Sequence, residues 1–160
     1  MSDLELTLSE GFGETVDFDD VVGRTLSLAV ELAAPSASVK IRREGRFGEM
    51  RAENATPLAL VLTELVTNAV EHGLRERGGT VTVVAERKGV ALRTAICDDG
   101  SGLPEGFNAG AAGLGTQIVQ ALVSGEMRGS ITWLNREAGG TEVSVRVTLQ
   151  PIRRDTDDQD

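Results

Sequence analysis

The sequence predicts an α+β fold: a two-layer sandwich in which a mixed, mostly antiparallel sheet of about five strands packs on three helices. Two observations carry this. Three segments space their apolar residues at the helical period, and five others alternate at the period of two that marks a half-buried strand. Helices and strands also follow one another in an order too mixed for the regular alternation of a doubly wound parallel sheet. With 160 residues, the chain has about one domain's worth of core.

The elements follow in order. Residues 1–20 are an acidic lead-in with apolar anchors at Leu4, Leu6, Leu8, Phe12, Val16 and Phe18, the first three alternating as a short strand or a packed arm would. Asp19 or Asp20 is placed to cap a helix through Leu32, with Val21, Val22, Leu26, Leu28, Ala29 and Val30 on its apolar face; Pro35 stops it. Ser38–Arg42 reads as a strand, and Glu44-Gly45-Arg46 as a turn. Thr56-Pro57 pairs a hydroxyl cap with a proline suited to the first helical position, so a second helix is expected from there to His72, ended by Gly73. Strands are expected over Val81–Glu86 and Val90–Ile96, then a glycine-rich loop, then a helix from about Leu114 to Val123. Ser130–Leu134 and Thr141–Leu149 complete the sheet. Residues 151–160 hold too little apolar surface to fold and read as a disordered tail, leaving residues 16–150 as the domain.

Charge sharpens this division. The net charge is −9, yet residues 1–20 hold seven acids and no base, and residues 151–160 hold four Asp and two Arg. The 130 residues between are balanced, so neither a nucleic-acid footprint nor one for anionic lipid is present. A lone Cys97 and a lone His72 exclude an intramolecular disulfide and a tetrahedral His/Cys zinc site. No apolar run is long enough to span a membrane and no secretory leader precedes the domain, so a cytoplasmic protein without membrane insertion is expected.

Four short patterns remain. On the second helix Glu64 and Asn68 lie four apart on one face, with His72 one turn on. They are either a solvated stripe or an oxygen cluster facing a metal-bound phosphate, because burying such groups unpaired costs roughly 1–3 kcal/mol each. Asp98-Asp99-Gly100-Ser101-Gly102 ends a strand: an acidic turn, or a carboxylate beside bare backbone that accepts a hydrogen bond from the exocyclic amine of a flat ring. Gly113-Leu114-Gly115 opens a helix, either for close packing or to leave N–H groups free for a phosphate. Thr141, after Gly139-Gly140, enters the last strand near the same place.

Each pattern is modest alone, but their order is specific. Together they resemble the Bergerat ATP-binding fold shared by gyrase, the heat-shock chaperone ATPases, MutL and histidine kinases, over about residues 16 to 150. Glu64-Leu-Val-Thr-Asn68-Ala-Val-Glu-His72 is similar to the N box, Asp98–Gly102 to the first glycine box and Gly113–Gly115 to the second. Within that group the chain most resembles the short-lid, soluble sensor histidine kinases of the PdtaS type. The resemblance implies a catalytic domain that binds ATP and Mg²⁺, with Asn68 ligating the metal and Asp98 binding the adenine amine. It implies that Gly100 and Gly102 shape the adenine pocket, and that Gly113, Leu114 and Gly115 meet the phosphates. His72 and Thr141 border the site, and Glu64 falls where hydrolysing relatives keep a water-activating base. The implied partners are a dimerisation domain carrying the phosphoacceptor His, and a response regulator; residues 1–15 would end the linker from that helical hairpin, and the full-length protein would be a homodimer. Two departures stand out. Glu71 replaces a basic residue common in histidine kinases, and the lid, Leu103–Ala112, has no Lys or Arg. The alternatives are a serine kinase of the anti-sigma-factor type and a nucleotide-binding module without phosphotransfer.

Overall fold

The computed structural model describes residues 14–33, 38–74 and 78–152. A short strand β1 (Thr15–Asp17) leads into helix α1 (Phe18–Ala33), then β2 (Val39–Gly45) and β3 (Glu49–Arg51). Helix α2 (Ala52–Asn68) follows and runs on through a wider turn to Gly73, where the Leu74 N–H reaches back to the Ala69 carbonyl at 3.2 Å. Next come β4 (Gly79–Lys88), β5 (Ala91–Asp98), helix α3 (Leu114–Ala121) with a similar wide turn to Glu126, β6 (Ser130–Asn135) and β7 (Thr141–Thr148).

Five strands form one sheet in the order β2-β4-β5-β7-β6, with β2 parallel to β4 and every other pair antiparallel. The expected α+β two-layer sandwich is therefore the observed one. The alternation that marked the strands sets which face is covered: Val81, Val83 and Ala85 of β4, Leu92 and Ile96 of β5, and Val143, Val145 and Val147 of β7 are all buried. Against them pack Val22 and Leu26 of α1, Leu58, Val61, Leu62, Leu65 and Val66 of α2, and Val119 of α3. Two-residue and five-residue connections close the β4–β5 and β6–β7 hairpins, and both use glycines at positive φ (Gly89, Gly139 and Gly140).

Three expectations are corrected. The first concerns the start of α1, which neither Asp19 nor Asp20 caps; the Asp17 carboxylate accepts the Asp19 N–H at 3.1 Å instead. Asp19 turns outward and accepts the N–H groups of Phe47 and Gly48, at 3.0 and 2.8 Å, and the Arg43 guanidinium at 3.0 Å. It thereby holds the β2–β3 turn on α1 while Phe47 packs edge-on against Phe18, ring centroids 5.0 Å apart.

The second concerns α2, which begins at Ala52 rather than at Thr56-Pro57, so Pro57 sits inside the helix. The added turn is held by tertiary contacts. The Ala52 N–H donates to the Glu14 carbonyl at 3.0 Å, and the buried Asn54 side chain accepts the Gln150 N–H at 2.9 Å. These contacts outweigh the bond to the Glu53 carbonyl that a proline at 57 cannot make.

The third correction is an addition: β1 and β3 form a separate antiparallel ribbon that three-residue runs are too short to announce. The calls on Leu4–Leu8, Pro35 and most of residues 151–160 lie outside the described residues.

The Asp19 latch is directly testable. Asp19→Ala removes an acceptor from two backbone N–H groups and a guanidinium, and is expected to lower stability by about 2 kcal/mol. Urea unfolding should show this as a lower midpoint with an unchanged slope.

Candidate functional site

The site grows out of the corner where α2, the carboxyl end of β5, the following loop and the start of α3 meet. Helix α2 commits Leu58, Val61, Leu62 and Leu65 to the core, which leaves Glu64 and Asn68 half-buried on its flank, one turn apart. Neither side chain makes a hydrogen bond among the described residues. They face a cavity of about 710 Å³, large enough for a nucleotide.

The sheet supplies the floor as two rows that cross three strands. Ile96, Val143 and Trp133 are register partners on β5, β7 and β6 and form an apolar row. One step further, Asp98, Thr141 and Asn135 form a polar row, of which Asp98 and Thr141 line the cavity and Asn135 is exposed at its edge; the Thr141 N–H donates to the Asp98 carboxylate. Asp98 is only 3 % exposed. Burial pushes its pKa above the ordinary carboxylate range, although the N–H groups of Gly100, at 2.9 Å, and Thr141 favour its ionised form.

Glycines make this corner possible. Gly140 has φ +93°, and any Cβ there would collide with the Asp98 carbonyl, so the β6–β7 turn can press on the end of β5 only with glycine at that point. Arg136 fixes the same contact, donating to the Asp98 carbonyl at 3.0 Å while its N–H bonds the Gly140 carbonyl at 2.9 Å.

Helix α3 closes the other end. Gly113 is its N-cap and carries no side chain to satisfy the first N–H groups, which stay open. A Cβ at Gly115 would strike Glu64 Oε2, so glycine leaves the Glu64 carboxylate room beside the amino end of α3. The pocket thus has a polar end at Asp98 and an amide-rich end at Gly113–Thr116. Between them run Leu103, Pro104 and Phe107 of the lid.

The structure brings together Glu64, Asn68, His72, Asp98, Gly102, Gly113, Gly115 and Thr141 around one cavity. Gly100 and Leu114 stand outside its lining: Gly100 acts through its bond to Asp98, and Leu114 is 73 % exposed. Sequence reasoning missed Phe107 and Trp133, whose rings meet at 6.0 Å on the pocket wall, and Asn135, which accepts the Leu103 N–H at 2.8 Å. The alternation of β6 turned Trp133 inward, but nothing local told what it would face. No Lys or Arg lines the cavity among the described residues.

Known proteins bear on this site. Residues 53–151 match the family described as histidine kinase-, DNA gyrase B-, and HSP90-like ATPase. The chain is 40% identical over 145 residues to sensor histidine kinase PdtaS of Mycolicibacterium smegmatis, covering 89% of this chain and 29% of that protein. It is 39% identical, over the same length and shares, to PdtaS of Mycobacterium tuberculosis. The chain therefore spans about three-tenths of the length of these curated relatives. Among solved structures, the histidine kinase domain of the blue-light activated kinase of Erythrobacter litoralis superposes with a TM-score of 0.74 at 26% identity. That match covers 84% of this chain and 66% of the other. The ATP binding domain of PrrB from Mycobacterium tuberculosis, at 24% identity, shares the fold with a TM-score of 0.66 over 86% of this chain and 97% of that one. With the matched residues enclosing the whole of the cavity's motif set, the chain belongs to the histidine kinase-, gyrase B- and HSP90-like ATPases.

Proposed function

We propose that this chain is the ATP-binding catalytic domain of a sensor histidine kinase, which donates the γ-phosphate to a His on a separate dimerisation domain. The observation that carries the reading is the two-ended pocket: a buried carboxylate at one end, open helix amides at the other, and Asn68 with Glu64 between them. An adenine amine donates to Asp98, Gly100 holds that carboxylate in place, and Gly102 keeps the ring's edge free of side chains. The phosphates lie toward Gly113 and Gly115, where the α3 dipole favours negative charge. His72 and Thr141 border the nucleotide.

Asn68 suits Mg²⁺, because its amide oxygen is a hard donor with no hydrogen-bond partner among the described residues. Among the described residues no group of three or more His, Cys, Asp or Glu forms a metal cage. A cation here would draw its other ligands from phosphates and water, the usual habit of Mg²⁺. When bound, it neutralises charge on the transferring phosphoryl group. Glu64 is the carboxylate nearest the phosphate end and is assigned the proton-accepting role. The chain's one His, His72, lies inside the Asn68 motif, so the acceptor His belongs to a partner domain. A downstream response regulator, a dimer formed through the partner hairpin and a cytoplasmic location complete the proposal. No helix among the described residues is long and apolar enough to cross a membrane.

Incubation with labelled ATP, Mg²⁺ and the matching hairpin domain is expected to give an acid-labile phosphohistidine. An acid-stable phosphoserine on a small partner protein would favour the serine-kinase reading, and no transfer at all would overturn both. Asn68→Ala should weaken Mg·ATP binding about tenfold, and chelating Mg²⁺ should bring the wild-type affinity down to the variant's. Because the Asp98 pKa is raised, its carboxylate begins to protonate above the ordinary range as pH falls. Adenine-nucleotide affinity should therefore decline in mild acid, whereas Asp98→Asn should bind weakly with little pH dependence across the same range. Calorimetric titrations over a pH series read both.

A further inference from the structure

We infer that strand β6, through Trp133 and Asn135, is the anchor of the lid and a determinant of base recognition, so that the lid senses the adenosine half of the nucleotide rather than the γ-phosphate. The inference rests on the nucleotide reading above and adds a function for residues that reading left unused.

Three contacts carry it. Asn135 Oδ1 accepts the N–H of Leu103, the first lid residue, at 2.8 Å. The residue before it, Gly102, has φ +85°, and a Cβ there would lie 2.9 Å from the same Asn135 oxygen. The hinge of the lid is therefore shaped around one side chain of β6. Two residues back along the strand, on the same face, Trp133 meets Phe107 near the middle of the lid, with ring centroids 6.0 Å apart and planes tilted by 48°. Alternation along β6 places both anchors on one face, beside Val143 and Thr141 of β7; Trp133 lines the cavity, and Asn135 stands exposed at its edge, at the start of the lid.

The lid's own chemistry points the same way. Leu103–Ala112 contains one charged residue, Glu105, and no cation that could grip a phosphate. It is held on the sheet side by Asn135 and Trp133, where Ile96 and Val143 floor the pocket next to Asp98, and at its far end by Gln117 of α3, whose side chain donates to the Ala112 carbonyl at 3.0 Å. A flat base inserted over that floor has Trp133 and Phe107 as its side wall, and aromatic faces tolerate such a ring well. Discrimination by this lid is thus built on the ring and not on the number of phosphates.

The sole tryptophan makes the test direct. ADP·Mg²⁺ and the non-hydrolysable imido analogue of ATP with Mg²⁺ are titrated into the 160-residue chain, followed by Trp133 emission and by calorimetry. Both ligands are expected to change the emission and to bind within about threefold of each other. Phe107→Ala, a change on the half-buried lid surface, should weaken both by the same factor, about three- to tenfold. Asn135→Ala should weaken both and raise amide exchange across residues 103–112, while Asn135→Asp, which keeps the acceptor oxygen, should restore affinity and protection. Silent Trp133 emission with intact binding, or variants that weaken the ATP analogue alone, would overturn the inference and leave the nucleotide site standing. Failure of the wild-type chain to bind either ligand would overturn the nucleotide reading and this inference with it.

Discussion

The meeting of Gly140 with the end of β5 governs this molecule's functional corner. A carboxylate buried to the extent of Asp98 is expensive, since transfer from water disfavours its charged form. The cost is offset in part by two backbone donors, Gly100 and Thr141, and the second depends on the backbone being where a side chain would not allow it. Thr141 reaches Asp98 because Gly140, at φ +93°, lets the β6–β7 turn close onto the Asp98 carbonyl. Arg136 then pins the same carbonyl from the turn itself. The sheet, the turn and the acidic loop are one unit.

From that unit the rest of the site follows by register. Once β7 is fixed against β5, Val143 stands beside Ile96, and β6 brings Trp133 and Asn135 into the next column. Helix α2 lies across this floor because five of its apolar residues are fully or nearly fully buried, and its flank then offers Glu64 and Asn68 to the cavity without a separate fold element. Gly115 is a milder case than Gly140: a side chain there would displace only the flexible end of Glu64, so glycine leaves that carboxylate its place beside the amino end of α3.

Much of this was legible in the sequence because it is local. Period-two alternation located β4, β5 and β7, and the paired glycines marked both ends of the pocket. The Glu64–Asn68 spacing put two oxygen-bearing groups on one helix face. What was illegible is long-range. Asp19 reads as a cap until its partners Phe47 and Gly48, nearly thirty residues on, claim it. Thr56-Pro57 is a strong local start signal, overridden by Asn54 reaching Gln150, 96 residues away. Trp133 and Asn135 belong to the site through a lid that carries no motif at all, so only the folded register could reveal them.

The charge distribution ties these points together. The balanced body of the chain leaves the cavity without Lys or Arg among its described lining, while acids stand at both of its ends. On the proposed reading, the open backbone amides at α3 and a bound divalent cation attract the phosphates, and both act at short range, with the nucleotide already in place. Placement falls to the base end, where a rigid floor, a buried acceptor and an aromatic wall are assembled before any phosphate arrives. If the further inference holds, such a site gains its affinity from the adenosine half and leaves the terminal phosphate comparatively unclasped. That arrangement suits the proposed role, in which a His on a separate domain takes the phosphate.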